Sequence, residues 1–529
     1  MTSSFDGVAF KSHRPVIMSE RGMVVAGHPL ASAAGAAMLR RGGNAMDAAV
    51  AAAATLAIAI PFMNGLGGDA IALHATVSGD VTAINGSGRT PRSISVEGLR
   101  KRGLTSMPQR GPVPVTVPGV VAAWGEALER FGSHSLAEVL QAAIALAENG
   151  VALDASAIGF FNGAEYAELV QEFPALGVHY GPAGGRPLGE ILKQPAAART
   201  MRTIAERGWR EFYSGALASD WLAAARGQGV LIEEQDLIEH ATSFERALST
   251  DWRGRQVHVA PPNSQGLALL AMLRLAEVRP APPPSDGSDP LIDPLAYLAR
   301  KNQAFAMRDA YCADPRRVTL PDDIFSTSRL KALALHNGPT MSRSGGGDTS
   351  TLVVIDANGN AVSWVQSLFE SFGSGIVCPD QGMVLHNRAM LERLDEDPVR
   401  GMLGGFRPFH TLCPALMIGD AGVELAIATP GDHGQPQSIF QVVRRNFEQG
   451  LDIQAAIEWP RLRHDDGEEV MLEQRCPSSW DGYLGKQGWR VRRVDSWSRL
   501  MGGVNAIRRS EGLLMGGADP RRSSYAIAE

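Results

Sequence analysis

Residues 345–375 constrain the fold of this chain more than any other stretch. They read Gly-Gly-Gly-Asp-Thr-Ser-Thr-Leu-Val-Val-Ile-Asp-Ala-Asn-Gly-Asn-Ala-Val-Ser-Trp-Val-Gln-Ser-Leu-Phe-Glu-Ser-Phe-Gly-Ser-Gly. Three glycines and Asp348 make a polar approach. From Thr349 onward, Thr351, Val353 and Ile355 fall on one face of a strand and Leu352 and Val354 on the other. Apolar residues on both faces mark a strand covered on both sides, so the fold needs material above and below this sheet. Asp356-Ala-Asn-Gly-Asn360 is a turn signal, and Ala361 to Gln366 return as the partner strand.

A threonine at the junction of a loose segment and a buried strand has a specific chemical use. If the chain is cut between Asp348 and Thr349, Thr349 carries a free α-amino group beside its own hydroxyl. That amine is a built-in general base for a weak hydroxyl nucleophile. Its reference pKa of about 7.7–8 suits proton abstraction near neutral pH. An ordinary β-branched residue opening a strand would look the same locally.

Thr349-Ser-Thr, the following Val-Val-Ile-Asp-x-x-Gly-Asn-Ala-Val and then Phe372-Gly-Ser-Gly-Ile-Val377 resemble the start of the small subunit of the gamma-glutamyltranspeptidase family. Further blocks stand in that family's order: Gly42-Gly-Asn-Ala-Met-Asp-Ala-Ala-Val50, Gly65-Leu-Gly-Gly68, Val117-Pro-Gly119, Pro261-Pro-Asn-Ser-Gln-Gly266 and Ala456-Ile-Glu-Trp-Pro-Arg461. The resemblance implies an N-terminal nucleophile hydrolase that cuts itself before Thr349. It also implies an α+β fold, a four-layer α-β-β-α sandwich of two sheets covered by helices. Residues 1–348 would be the large fragment and 349–529 the small one, together one globular domain. The expected assembly is a heterodimer of the fragments, or a dimer of these. Pattern alone supports only a mixture of helices and strands.

Composition bounds the partners. Of 529 residues, 44% are hydrophobic and 20% charged, enough for a large core, and the net charge is −6 with no basic stripe. Nucleic acid is therefore not an expected partner. Cys312, Cys378, Cys413 and Cys476 form no CxxC pair, which argues against a disulfide framework or thiolate metal site and fits a reducing compartment. The start, Met-Thr-Ser-Ser-Phe-Asp, lacks a basic and then apolar leader. Ala48 to Met63 is too short to span a bilayer and reads as a buried helix. The expectation is a cytoplasmic protein with no membrane partner, no cofactor and no metal.

Other elements follow local signals. Met23 to Val25 reads as a strand and Leu30 to Arg41 as a helix, with Asn44 as N-cap of the next helix and Asp47 three residues on. Asn64-Gly-Leu-Gly-Gly-Asp69 is a tight turn that lacks the GxGxxG spacing of a nucleotide loop. Ala70 to Ala75 and Asp80 to Ile84 pair as strands. Ser135 to Gln194 is mainly helical, and Glu245 to Val259 makes a hairpin. Pro-rich Arg279 to Pro290 reads as an exposed loop. Asn337 to Gly347 leads to the cut.

Set beside the family, the substrate-binding positions depart from its pattern. The arginine that grips the substrate's α-carboxylate in the family has Ser87 in its place, with Arg89 two residues later as a substitute or as a solvated turn residue. The acidic residue for the α-amino group is replaced by Leu391, the asparagine after Ser367 by Phe369, and a glutamine by Arg388. Leucine cannot pair with an ammonium, and an unpaired buried charge costs several kcal/mol. Glutamyl recognition is thus lost or rebuilt. Arg388 offers a bidentate partner for a carboxylate, or an ion pair with Glu392 or Asp395. Pro398 to Phe409, with three glycines, is a lid candidate. His410 and Thr411 take the place of the family's substrate-binding turn. Thr429-Pro-Gly-Asp-His-Gly434 takes the place of its oxyanion loop, where Gly431 matches and Asp432 replaces a glycine. The N–H of Asp432 can still donate, but its carboxylate would oppose an oxyanion unless paired, for which His433 is the candidate.

No serine has glycines two residues before and after it, as a nucleophile elbow needs, and no H-E-x-x-H occurs among the twelve histidines. The reading is an autoprocessing amidohydrolase. Thr349 attacks, Ser367 hydrogen-bonds it, and Gly431 and Asp432 stabilise the oxyanion. The substrate is a small carboxylate-bearing amide. The hairpin is more similar to acylase and amidohydrolase branches, such as cephalosporin acylases and oxamate amidohydrolase, than to transpeptidases. The alternatives are a γ-glutamyl transferase or hydrolase, and a non-catalytic binding protein on the same scaffold.

Overall fold

The computed structural model describes residues 12–281, 283–284, 287–333 and 348–529. The expectations for the N-terminal leader and for Asn337 to Gly347 lie outside them.

Two seven-stranded antiparallel sheets organise the chain. The first runs in the order Tyr525–Ala528, Met23–Ala26, Asp348–Ile355, Ala361–Phe369, Asp69–Ala75, Val81–Asn85, Ser243–Arg246. The second runs Ile17–Ser19, Leu513–Ala518, Asn505–Ser510, Gly422–Ala428, Ala415–Gly419, Arg255–Val259, Leu248–Trp252. Each sheet therefore mixes strands from before and after residue 349.

The two-faced strand at Thr349 is used as its pattern requires. Leu352 and Val354 join an apolar cluster shared with the helices Pro29–Arg40 and Ala45–Ala59. Val353 and Ile355 join a second cluster, which takes Leu416, Ala426 and Ile507 from the other sheet. A third cluster packs the opposite face of that second sheet, through Met417, Leu425 and Ile427, against the helices Gly266–Val278 and Gln435–Phe447.

Helix Ala45–Ala59 is buried along its whole length, and its run of alanines lets neighbours approach closely. Asn44 and Asp47 close it with a reciprocal capping box, and the helix stops before Pro61. The turn before strand Asp69–Ala75 is glycine-rich for a packing reason. A Cβ at Gly68 would sit 2.6 Å from the Ser367 carbonyl oxygen, and one at Gly67 would run into that of Val384. Only glycine lets this turn press against the hairpin and bring Asp69 opposite Ser367.

The described part of Arg279 to Pro290 is a loop, with Pro280, Pro283, Gly287 and Pro290 exposed as expected. Asp289 is the exception within it: it is buried, paired with Arg445, and its carboxylate accepts from the N–H groups of Leu291 and Ile292. The glycine-rich Pro398 to Phe409 stretch is fastened down: Thr90 donates to the Leu403 carbonyl, and the Gly405 N–H donates to that of Thr90. Among the described residues no helix is long and apolar enough to cross a membrane.

Candidate active site

Thr349 is 3% exposed and donates from Oγ1 to Ser367 Oγ at 3.1 Å. The hairpin register explains the meeting. Asp348 pairs with Phe369 and Ser350 with Gln366, so Thr349 faces two residues, Ser367 and Leu368, across a bulge. Such an irregularity re-aims side chains at a strand end. Phe369 follows with a φ of +79°, and its N–H donates to Ser367 Oγ at 2.7 Å. That left-handed conformation is costly for an aromatic residue and is characteristic of functional sites.

A buried charge cluster adjoins the hairpin end. Asp69, paired in register with Ser367, lies at its centre. His410 Nε2 is 2.8 Å from Asp69 Oδ2, Arg388 Nε 3.5 Å and His386 Nδ1 3.7 Å, and all four side chains are fully buried. Burial by itself would raise the Asp69 pKa. His410, Arg388 and His386 together overcome it and hold this carboxyl well below the usual range. An ionised Asp69 accepts only, so His410 carries its proton on Nε2, and its Nδ1 is left to accept the Leu412 N–H at 3.3 Å. Burial pushes His410 down to about 4, so the ring is neutral at pH 7.

Arg388 is the hinge of the cluster. Its guanidinium lies 4.2 Å over the Phe369 ring, and Nη1 donates to Thr411 Oγ1 at 3.1 Å. Its acidic neighbour is Asp69 rather than the expected Glu392 or Asp395. Asp395 pairs with Arg393, and Glu392 accepts from the Phe409 N–H.

Asp432 follows Gly431, whose φ is +120°, and itself has a φ of +51°. Gln265 ties this loop to the neighbouring turn by donating to the carbonyls of both Thr411 and Asp432, at 2.6 and 2.8 Å. The Asp432 carboxyl is buried, and burial pushes it up to about 8. Arg463 opposes the shift, Glu370 and Asp465 add to it, and Arg388 opposes it again. His433, expected as its counter-charge, does not serve. Its Nε2 is 4.0 Å away, its Nδ1 is 3.0 Å from Arg308, and burial keeps the ring neutral. A cavity of about 530 Å³ opens beside this group, lined by Met390, Leu391, Glu392, Arg400 and His433 among others.

Ser87 and Arg89 differ in burial and in partners. Ser87 is buried and accepts from Asn263 Nδ2 at 3.0 Å. Arg89 is half-buried, with Nη1 3.5 Å from the Glu239 carbonyl in a group that includes Arg92, Arg316 and Asp314. Sequence reasoning passed over Asp69, His386 and Gln265. Asp69 looked like the end of a turn, and His386 lay unweighed in the segment that supplied Arg388. Among the described residues no group of three or more His, Cys, Asp or Glu is arranged to hold a metal ion.

The neutral histidines make the fold acid-sensitive. Burial lowers His74, His258, His410 and His464 to about 4 and His240 to about 3. In the unfolded chain each takes up its proton near pH 6.5, so below that pH the unfolded state binds more protons and stability falls with pH. Asp432 and Glu392, raised to about 8 and about 7, act in the opposite direction but are outnumbered. The melting temperature should drop steadily from pH 6.5 to 4; a flat profile would contradict this.

Comparison with known proteins shows the family of the chain. The family model described as gamma-glutamyltranspeptidase matches residues 31–529. The chain is 34% identical to the glutathione hydrolase-like YwrD proenzyme of Bacillus subtilis, covering 97% of this chain and 99% of that one. It is also 34% identical to the oxamate amidohydrolase proenzyme of Klebsiella pneumoniae, covering 96% and 98%. The cephalosporin acylase structure from Bacillus halodurans superposes with a TM-score of 0.90 at 30% identity, covering 100% of this chain and 99% of that chain. This protein belongs to the gamma-glutamyltranspeptidase family and is an N-terminal nucleophile amidohydrolase within it.

Proposed function

We propose that Thr349 is the nucleophile of an enzyme that cuts its own chain between Asp348 and Thr349 and then hydrolyses a small carboxylate-bearing amide. The observation that carries this reading is the buried Thr349–Ser367 hydroxyl pair, at the one strand end where a cut supplies the attacking residue with an amine. The Thr349 amine takes the hydroxyl proton, Oγ1 attacks the carbonyl, and the amine passes the proton to the leaving nitrogen. Backbone N–H groups of Gly431 and Asp432 face the oxyanion, and water releases the acyl group. Fragments 1–348 and 349–529 stay together as a heterodimer, because strand Asp348–Ile355 remains held between Met23–Ala26 and Ala361–Phe369. The two sheets and their helical covers form the four-layer α-β-β-α sandwich.

Two observations favour a simple carboxylate amide over a γ-glutamyl substrate. Leu391 presents an apolar side chain where an ammonium would need a charge, and Ser87 is already engaged by Asn263. Arg388 is the carboxylate partner on the acyl side; Arg89 is turned toward Glu239. The test is N-terminal sequencing of the smaller fragment, expected to begin Thr-Ser-Thr-Leu, with hydrolysis of oxamate and of a γ-glutamyl anilide measured in parallel. A fragment that starts elsewhere sinks the nucleophile, and efficient γ-glutamyl transfer sinks the substrate class.

Ser367→Ala is expected to slow both self-cleavage and turnover, and Ser367→Thr to be tolerated. Losing one orienting hydrogen bond costs about 1–3 kcal/mol, or roughly 5- to 150-fold in rate. Unchanged kinetics in the alanine variant would reduce Ser367 to a strand residue.

A further inference from the structure

Two buried polar groups are tied to the Thr411 turn with hydrogen-bonding capacity unspent: Arg388 donates to Thr411 Oγ1, and Gln265 joins the carbonyls of Thr411 and Asp432. Arg388 is fully buried, yet its Nη2 has no hydrogen-bond partner among the described residues. Asp432 is 1% exposed, and neither Oδ1 nor Oδ2 has one. Buried polar atoms are nearly always satisfied, and one that is not carries the full penalty of its desolvation. Two such groups, linked through the Thr411 turn and close enough for their charges to interact, point to a ligand that completes them both. One of them offers only donors. A ligand with two acceptor oxygens on one carbon satisfies that side directly, and satisfies the other only if Asp432 carries a proton.

We propose that Arg388 and Asp432 form the two sides of a subsite for the substrate's carboxylate, with Asp432 entering it as a carboxylic acid that donates its O–H. This rests on the Thr349 reading and gives its substrate class a second point of contact. The protonated form is the one the surroundings favour. Burial raises Asp432 to about 8, Glu370 and Asp465 face it with the same sign of charge, Arg463 and Arg388 oppose, and His433 beside it is neutral. A bound carboxylate adds one more negative charge and holds the proton more firmly. Binding is therefore coupled to retention of one proton. Above about pH 8 the carboxylate would have to enter beside an ionised Asp432.

The experiment compares oxamate with oxamide, which lacks the carboxylate, on processed enzyme between pH 6 and 9.5. For the wild type, KM for oxamate should rise about tenfold per pH unit above the Asp432 pKa, with oxamide showing no such rise. Asp432→Asn keeps a donor but cannot ionise. It should lower oxamate kcat/KM several-fold at pH 7 and lose the alkaline slope in KM. Arg388→Met should cut kcat/KM for oxamate by more than roughly tenfold and for oxamide by less. A denaturing gel read alongside separates the two claims, since absence of two fragments in the wild type counts against Thr349 itself. With processing intact, a KM slope that survives in Asp432→Asn overturns the subsite. So does a wild type that hydrolyses oxamide as well as oxamate, or neither compound.

Discussion

Thr349→Ala leaves a single uncut chain of 529 residues with no measurable amide hydrolysis. This is the expected result because one substitution removes two groups. The hydroxyl that attacks the preceding carbonyl during self-cleavage is gone, and without cleavage no α-amine is freed to act as base. Removing a nucleophile that works as a unit with its base costs on the order of 10⁴-fold or more in rate. Thr349→Ser keeps both groups and should still process and turn over, more slowly, since the β-methyl that restricts χ1 is missing. The fold should be untouched, because the flanking Leu352, Val353 and Val354 anchor the strand in two apolar clusters. A gel and a kinetic trace decide it. Two fragments or residual turnover near wild type in Thr349→Ala would remove this residue from the mechanism.

Asp69→Leu has the second largest expected effect, and it falls on stability first. Asp69 is the acid closest to the buried Arg388 guanidinium and accepts the His410 ring N–H. Breaking a buried pair from one side strands the other charge and costs about 3–5 kcal/mol. Replacing both partners with apolar groups costs far less, so Asp69→Leu/Arg388→Met should recover much of the loss. The measurement is the urea midpoint of the single and double variants. Equal midpoints for Asp69→Leu and the wild type would show that Asp69 and Arg388 are each held by something else. Self-cleavage in Asp69→Leu should also slow, since Asp69 lies in register with Ser367 and shapes the strand that carries it.

What could be read from the chain was local. The two-faced strand after Thr349, the Asn44–Asp47 capping box, the stop before Pro61 and the hairpin turn at Asp356–Asn360 depend on residues within a few positions of one another. Backbone sterics, capping and apolar alternation act at that range, and the Thr349–Ser367 pair falls within one hairpin. The ordered family blocks then carried the enzyme class. The charge cluster was not legible in the same way. Asp69 and His410 are 341 residues apart, and which acid meets Arg388 depends on how three loops converge at the end of one sheet. Arg388 has Glu392 and Asp395 nearby in sequence, at spacings that suggest an ion pair, but the short turn at Arg388–Leu391 points its side chain at Phe369 and Asp69 instead. The protonation of Asp432 is set by burial and by four charged groups drawn from three other segments. Sequence determines which groups are available; desolvation and long-range register, which exist only in the packed chain, decide which are charged and which face one another.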